Sequence, residues 1–349
     1  MKILLVKLNH IGDTLLLTPT IRFIRERYPD AEIDVVTRRG CESVLEGNPG
    51  ITNLIPVASP EKNRRSLLNS ASEFLNAFRA VFCKRYDYAF DLSNSDRAKF
   101  WILMSCSRKR AINGWHARLG IKRFLFNRFT DFAWGGEHQV LKDFRAVADI
   151  IEPSASPGPL YINTDIDTAG LEEKIPFLPR LDNYALIHPV SRWAFKEWVP
   201  ERWAEVSDWL TKTYGCAIVF SSGPDGNEQA YIRNILRYSG ETHYYTEGLT
   251  TLREFAYVAK GARLFLGVDT VAMHIAAAVQ TPTVALFGPS SEWSWRPWQC
   301  RHELVLGDCS CKTTRKFVCD KSRPYPCMEK IQTGEVMDAV RRLMDENGR

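Results

Sequence analysis

The chain of 349 residues carries 46 Lys and Arg against 41 Asp and Glu, a net charge of +5, with 45% hydrophobic and 25% charged residues. That is the composition of a globular protein rather than a disordered or fibrous one, and at ~150 residues per domain it predicts two domains. No apolar run approaches the ~20 residues of a membrane span, and Lys2, Lys7 and Asp13 interrupt the apolar start, so no secretory signal and a cytoplasmic location are expected.

Residues 3–8 are a short aliphatic run, followed by a glycine-containing turn and by Leu17, Ile21, Ile24 and Tyr28 at helical spacing, which predicts strand, loop, helix. Pro29-Asp30 stops that helix and residues 33–37 supply the next strand, a βαβ opening. Further strands are expected at 51–57 and 88–92, with a helical stretch around 67–82 between them. Between 152 and 181, Pro153, Pro157, Gly158, Pro159, Pro176 and Pro179 mark a linker. The alternation then restarts, with strands at 184–188, 216–221, 242–245, 263–267 and 283–287, helices at 200–214, 227–238, 252–260 and 270–279, and a last helix at 333–344. The expected class is α/β with two mostly parallel sheets. Its divisions are 1–165, a linker at 166–182, a second domain at 183–330 and a terminal helix at 331–349. Open parallel sheets carry their ligand loops at the carboxyl ends of the strands, so a cleft between the domains is the expected active site.

Four loops at such strand ends carry chemistry. In Asn9-His10-Ile11-Gly12-Asp13-Thr14, Gly12 permits a tight turn, and Asp13 reads either as a helix N-cap or as a site carboxylate. The loop lacks the G-x-G-x-x-G pattern of a dinucleotide site. Val268 to His274 sits where a strand ends and a helix begins, and the free amides there, with Thr270, suit a diphosphate. Asp269 would repel phosphate, so loop ordering suits it better, and His274 reads by itself as a core histidine. His188 to Trp198 brings Ser191, Lys196 and two tryptophans to a strand end; Lys196 is either solvated or a counter-charge for a diphosphate. In Ser221 to Glu228, a turn and cap is the plain reading and a Glu228 contact to ribose hydroxyls the sharper one.

Two further features stand apart. From Arg97 to Arg128 there are nine Lys or Arg and no acid, interleaved with Phe100, Trp101, Trp115, Phe124 and Phe126; a solvated face with some core aromatics competes there with a binding surface. No nucleic-acid module accompanies the charge, so nucleic acid is not an expected partner. Of nine cysteines, Cys309, Cys311, Cys319 and Cys327 are spaced unlike a zinc ribbon and are expected to be thiols.

Together the Ile11–Pro19, His188–Trp198, Ser221–Asp225, Gly267–Ala278 and Pro282–Pro289 segments resemble the glycosyltransferase family 9 heptosyltransferases of lipopolysaccharide core synthesis. Ser191-Arg192-Trp193 and Trp295-Arg296-Pro297-Trp298 are most like the heptosyltransferase III branch. The resemblance implies a GT-B fold of two Rossmann-like domains and inverting transfer of heptose from ADP-heptose to lipid A-linked core, with no metal or other cofactor. It places Asp13 as catalytic base and Lys196 as a second catalytic residue, and puts Ser191, Lys196, Glu228, Asp269, Thr270 and His274 on the donor. Gly12, Asp91, Asn94 and Arg97 become candidate acceptor contacts. Val271 departs from relatives with a smaller residue, and His10 receives no role. An anionic glycolipid acceptor gives the basic segment a use, peripheral contact with the anionic cytoplasmic face of the inner membrane. Another GT-B donor, a nucleotide-sugar epimerase and a non-catalytic glycan binder are the alternatives.

Overall fold

A computed structural model describes residues 1–58, 67–82, 84–113, 122–130, 136–308 and 326–345. The chain divides into two units, Met1–Asn163 and Thr164–Arg349. The segment expected as a linker, 166–182, lies within the second unit and folds a helix, Thr168–Lys174. Cys41, Cys106, Cys216 and Cys300 are free thiols; of the four cysteines expected as thiols, Cys327 is buried and Cys309, Cys311 and Cys319 lie, with Cys83, outside the described residues.

In the first unit the elements run β1 (Lys2–Lys7), α1 (Ile11–Leu15), α2 (Thr18–Arg27), β2 (Glu32–Arg38), β3 (Asn53–Val57), α3 (Leu67–Phe82), β4 (Tyr88–Asp91), α4 (Asp96–Met104), β5 (Lys109–Asn113), α5 (Lys122–Leu125), β6 (Arg128–Thr130) and α6 (Gln139–Ile151). The strands form one sheet in the order β3-β2-β1-β4-β5-β6, all parallel. Strand β1 is central and its Ile3, Leu4, Leu5 and Val6 are fully buried, the uninterrupted apolar run of a strand covered on both faces.

The basic segment from Arg97 turns out to hold folded elements rather than a plain surface. Lys99 is buried within ion-pair distance of Asp91 (3.8 Å) and Asp96 (3.6 Å), and Trp101 and Phe126 enter the core beneath α3 and α4. The Lys109 ammonium lies over the Tyr88 ring, 4.3 Å from its centre. Arg108 and Arg128 remain exposed, and Trp115 and Arg118 lie outside the described residues.

The second unit comprises α7 (Thr168–Lys174), β7 (Tyr184–His188), α8 (Pro200–Tyr214), β8 (Ala217–Phe220), α9 (Gly226–Tyr238), β9 (Tyr244–Tyr245), α10 (Leu252–Gly261), β10 (Leu264–Val268), α11 (Val271–Ala278), β11 (Thr283–Phe287), α12 (Glu292–Trp295), β12 (His302–Leu306), α13 (Pro326–Lys330) and α14 (Thr333–Asp345). Its sheet is again parallel throughout, in the order β12-β11-β10-β7-β8-β9. The terminal helix α14 buries Val336, Ala339, Val340 and Leu343 in this unit's core. The same core holds Trp198 and Trp203, packed edge to face at 5.1 Å, and the Trp198 indole N–H donates to the Ile331 carbonyl at 3.1 Å. Position 267 must be glycine where β10 meets β7, because a Cβ there would come within 2.8 Å of the His188 carbonyl oxygen.

Both sheets share one consequence of strand order. Successive strands run outward in opposite directions from the β1/β4 pair and from the β7/β10 pair, and at such reversals the flanking loops diverge and leave a crevice at the carboxyl ends.

Candidate active site

In the first unit the loop after β1 carries His10, Gly12 and Asp13. Asp13 is not the N-cap of α1, as one sequence reading had it. His10 takes that place, and Asp13, three residues on, accepts the His10 amide through Oδ2 at 3.3 Å. A carboxylate in the first turn also meets the positive end of the short helix. One carboxylate oxygen thus orders the turn while Asp13 stays partly exposed.

Below Asp13 lies a buried ionic group. Lys7, the last residue of β1, is wholly buried; its ammonium donates to Asp143 Oδ1 and Oδ2 (2.8 and 2.6 Å) and to the Leu92 carbonyl (3.1 Å). Gln139 donates to the same Asp143 carboxylate at 2.9 Å. Burial pushes the Asp143 carboxyl up, Lys7 draws it back down, and the charge of Asp13 adds to the upward push, so Asp13 lies within electrostatic reach of this pair.

The candidate acceptor contacts split into two kinds. Asp91, at the end of β4, is buried and accepts the amides of Ser93 (3.0 Å) and Asn94 (2.8 Å), with Asn94 in left-handed backbone at φ 55°. Burial pushes the Asp91 carboxyl up to about 6 against the pull of Lys99. Asp91 is therefore engaged in shaping the β4–α4 loop. Arg97 is exposed and donates to the Ala58 carbonyl at 2.6 Å, and Gly12 lies in the first turn of α1.

In the second unit the loops after β7 and β10, the switch-point strands, are tied together. The Lys196 ammonium donates to Asp269 Oδ2 at 2.6 Å and approaches the Asp269 carbonyl oxygen at 3.3 Å. Lys196 is thus neither solvated nor free, and Asp269 orders the loop as expected of an acid that would repel phosphate. Thr270 follows as N-cap of α11, in extended backbone, and its Oγ1 is buried with no hydrogen-bond partner among the described residues. His274, one turn into α11, is buried. Ser191 Oγ accepts the Trp193 amide at 3.2 Å. Glu228, in the first turn of α9, accepts the Gly223 amide through Oε2 at 2.7 Å, and burial pushes its carboxyl up.

Two neighbours of these residues received no role from sequence. His188, at the end of β7, faces Ser221 Oγ at 3.1 Å, and burial pushes its imidazole down to about 4, so it is neutral at pH 7. Glu197 accepts the Ser191 amide through Oε1 at 3.3 Å. Its only signal in sequence was its place beside Lys196, since a loop glutamate is ordinarily solvated.

Two parallel sheets of this order, with their polar loops gathered at the switch points, are the Rossmann-like halves of a GT-B glycosyltransferase. The model of glycosyltransferase family 9 (heptosyltransferase) matches residues 75–323, and the chain belongs to that family. It is 27% identical to lipopolysaccharide heptosyltransferase 3 of Escherichia coli K12, over 97% of each chain. To lipopolysaccharide heptosyltransferase 1 of Pseudomonas aeruginosa it is 24% identical, over 99% of this chain and 91% of the relative. Among solved structures, the family 9 glycosyl transferase of Veillonella parvula has a TM-score of 0.81 at 20% identity, covering 99% of this chain and 97% of that one. The E. coli ADP-heptose heptosyltransferase II has a TM-score of 0.76 at 20% identity over the whole of both chains. The α/β fold of two parallel sheets expected from sequence is the one observed.

Proposed function

We propose that this chain transfers heptose from ADP-heptose to a sugar of the lipopolysaccharide inner core, with inversion at the anomeric carbon, as a heptosyltransferase III-like enzyme. The observation that carries this reading is Lys196 held against Asp269 at the paired ends of β7 and β10, beside the first turn of α11. The amides of that turn and the Lys196 ammonium are fixed positive groups suited to the charge that develops on a departing diphosphate. Thr270 Oγ1, buried and without a partner among the described residues, is a donor in want of a phosphate oxygen. These groups perform the neutralisation a divalent metal otherwise performs, so transfer without added metal belongs to the proposal. Glu228 takes the ribose hydroxyls, Ser191 and His274 complete the donor loops, and Asp13 takes the proton from the attacking hydroxyl. Gly12, Asn94 and Arg97 lie on the acceptor side, with Asp91 shaping their loop.

Lys196→Ala is expected to weaken ADP binding about 10- to 100-fold in calorimetry, the 1.5–3 kcal/mol of a charge-assisted hydrogen bond. Unchanged affinity would remove Lys196 from the donor site.

The reading includes peripheral contact with an anionic membrane on the cytoplasmic side. No helix among the described residues is long and apolar enough to cross a membrane. The first unit does expose apolar rings: Phe124 is 88% exposed, and Phe74 of α3 packs against Phe100 of α4 at 6.0 Å with both rings partly in solvent. Arg79, Arg108 and Arg128 are exposed on the same unit. Rings that enter the interface and cations that meet anionic headgroups each add to affinity for an anionic membrane. The protein is expected to float with vesicles containing anionic lipid and to be released by high salt; absence from anionic vesicles at low salt would reject membrane contact.

A further inference from the structure

The loop from β7 to α8 closes on itself. The Lys196 amide donates to the Trp193 carbonyl (2.9 Å) and the Glu197 amide to the Ala194 carbonyl (3.0 Å). The Glu197 carboxyl then reaches back to the Ser191 amide at 3.3 Å. One side chain therefore joins the two ends of the loop from which Lys196 extends to Asp269.

The surroundings of that carboxyl are unusual for an acid. From α9, Glu228 and the phenol of Tyr231 lie within electrostatic reach of it, and Tyr231 itself donates to the Trp198 carbonyl. Glu228 in turn lies near Asp225 and Tyr245. The neighbouring cation, Lys196, is engaged by Asp269. Glu197 thus sits largely out of water, within electrostatic reach of another carboxyl, with one backbone amide on it among the described residues. Burial, with Glu228 adding its charge, pushes Glu197 up to about 7, so near neutral pH a proton moves on or off it easily.

We propose that Glu197 is a proton-linked latch of the donor loop, a positioning residue that takes up a proton when a nucleoside diphosphate ester binds beside Lys196. The inference rests on the donor site proposed above. A doubly esterified diphosphate brings two negative charges to a place that already holds the carboxyls of Glu197, Glu228 and Asp269, the last paired with Lys196. The cost is relieved when a proton from the buffer forms an O–H bond on Glu197, whose Oε1 still accepts the Ser191 amide and keeps the loop closed. The sign follows from linkage: the complex binds more protons than the free protein, so donor affinity rises as pH falls through about 7 and declines above it.

The test is calorimetry of ADP-heptose binding without acceptor, at pH 7.5, in buffers of different ionisation enthalpy. This ester, unlike ADP, has no phosphate titrating near pH 7. Wild type is expected to take up a fraction of a proton per ligand bound, and Glu197→Gln, which keeps an acceptor oxygen but cannot titrate, none. At pH 6 the two affinities are expected to agree, and at pH 8 wild type is expected to bind up to about tenfold more weakly than Glu197→Gln, the penalty for protonating a group one unit above its pKa. Equal proton uptake in both proteins, with Lys196→Ala still weakening binding, overturns the latch and leaves the donor site standing. No binding of ADP-heptose, or binding indifferent to Lys196→Ala, overturns both. Should Glu197→Gln fail to fold, wild type still decides, because zero uptake across the buffers overturns the latch.

Discussion

Asp13→Asn is expected to cut sugar transfer about 10²- to 10⁴-fold, the contribution typical of a positioned general base, while ADP affinity stays within about twofold. Asparagine is the informative replacement. Its side-chain oxygen can still accept the His10 amide that Asp13 holds at 3.3 Å, so the first turn of α1 keeps its order. What is lost is the ability to take the acceptor proton. The groups proposed to hold the donor are in the second unit, on loops after β7, β8 and β10, so a base acting on the acceptor need not touch ADP binding. Transfer is followed by the mass added to the acceptor and ADP binding by calorimetry. Parallel loss of both would make Asp13 a structural residue of its turn.

Lys7→Met is expected to destabilise the first unit by about 3–5 kcal/mol, the cost of leaving one partner of a buried ion pair alone. The Asp143 carboxylate would keep Gln139 as a donor at 2.9 Å but lose both contacts to the ammonium, in a place where burial already pushes its carboxyl up. The sign with pH is fixed. Asp143 in the folded variant would titrate above its unfolded value, so the stability tied to its protonated form is present below about pH 4 and lost as pH rises through the raised value. The deficit against wild type should therefore be larger at pH 8 than at pH 5 in denaturant titrations. Lys7→Met combined with Asp143→Leu should recover much of the loss, since an apolar replacement of a buried pair is often neutral or better. A deficit below about 1 kcal/mol, the scale of an exposed pair, would contradict the buried geometry.

Much of the fold was legible because its strands and helices announce themselves locally. The helix at Pro200–Tyr214 and the strands Tyr184–His188 and Thr283–Phe287 stand where their apolar patterns place them. Strands β5, β6 and β12 and helices α4 and α6 gave no such signal. Helix α4 buries a lysine, and α6 buries Gln139, Lys142 and Asp143, side chains that read as solvent-facing until their partners are known. The short edge strand β6 is only Arg128-Phe129-Thr130, one apolar residue between two polar ones, a pattern shared with any basic loop.

The candidate site divides in the same way. Gly12-Asp13, the loop bearing Lys196 and the Asp269-Thr270 helix start are each a short continuous stretch of sequence, and the position of each between a strand and a helix is itself the signal. Sequence by itself determined the two α/β halves and these loops, because strand alternation and helix starts depend on residues close along the chain. Only the tertiary structure decided that Lys7 neutralises Asp143 across 136 positions, that Lys196 meets Asp269 across 73, and that Glu197 comes within electrostatic reach of Glu228 on another element. Whether a charge is solvated, paired or driven to hold a proton depends on what the fold brings beside it and on how much water it removes, and neither quantity is written in local order.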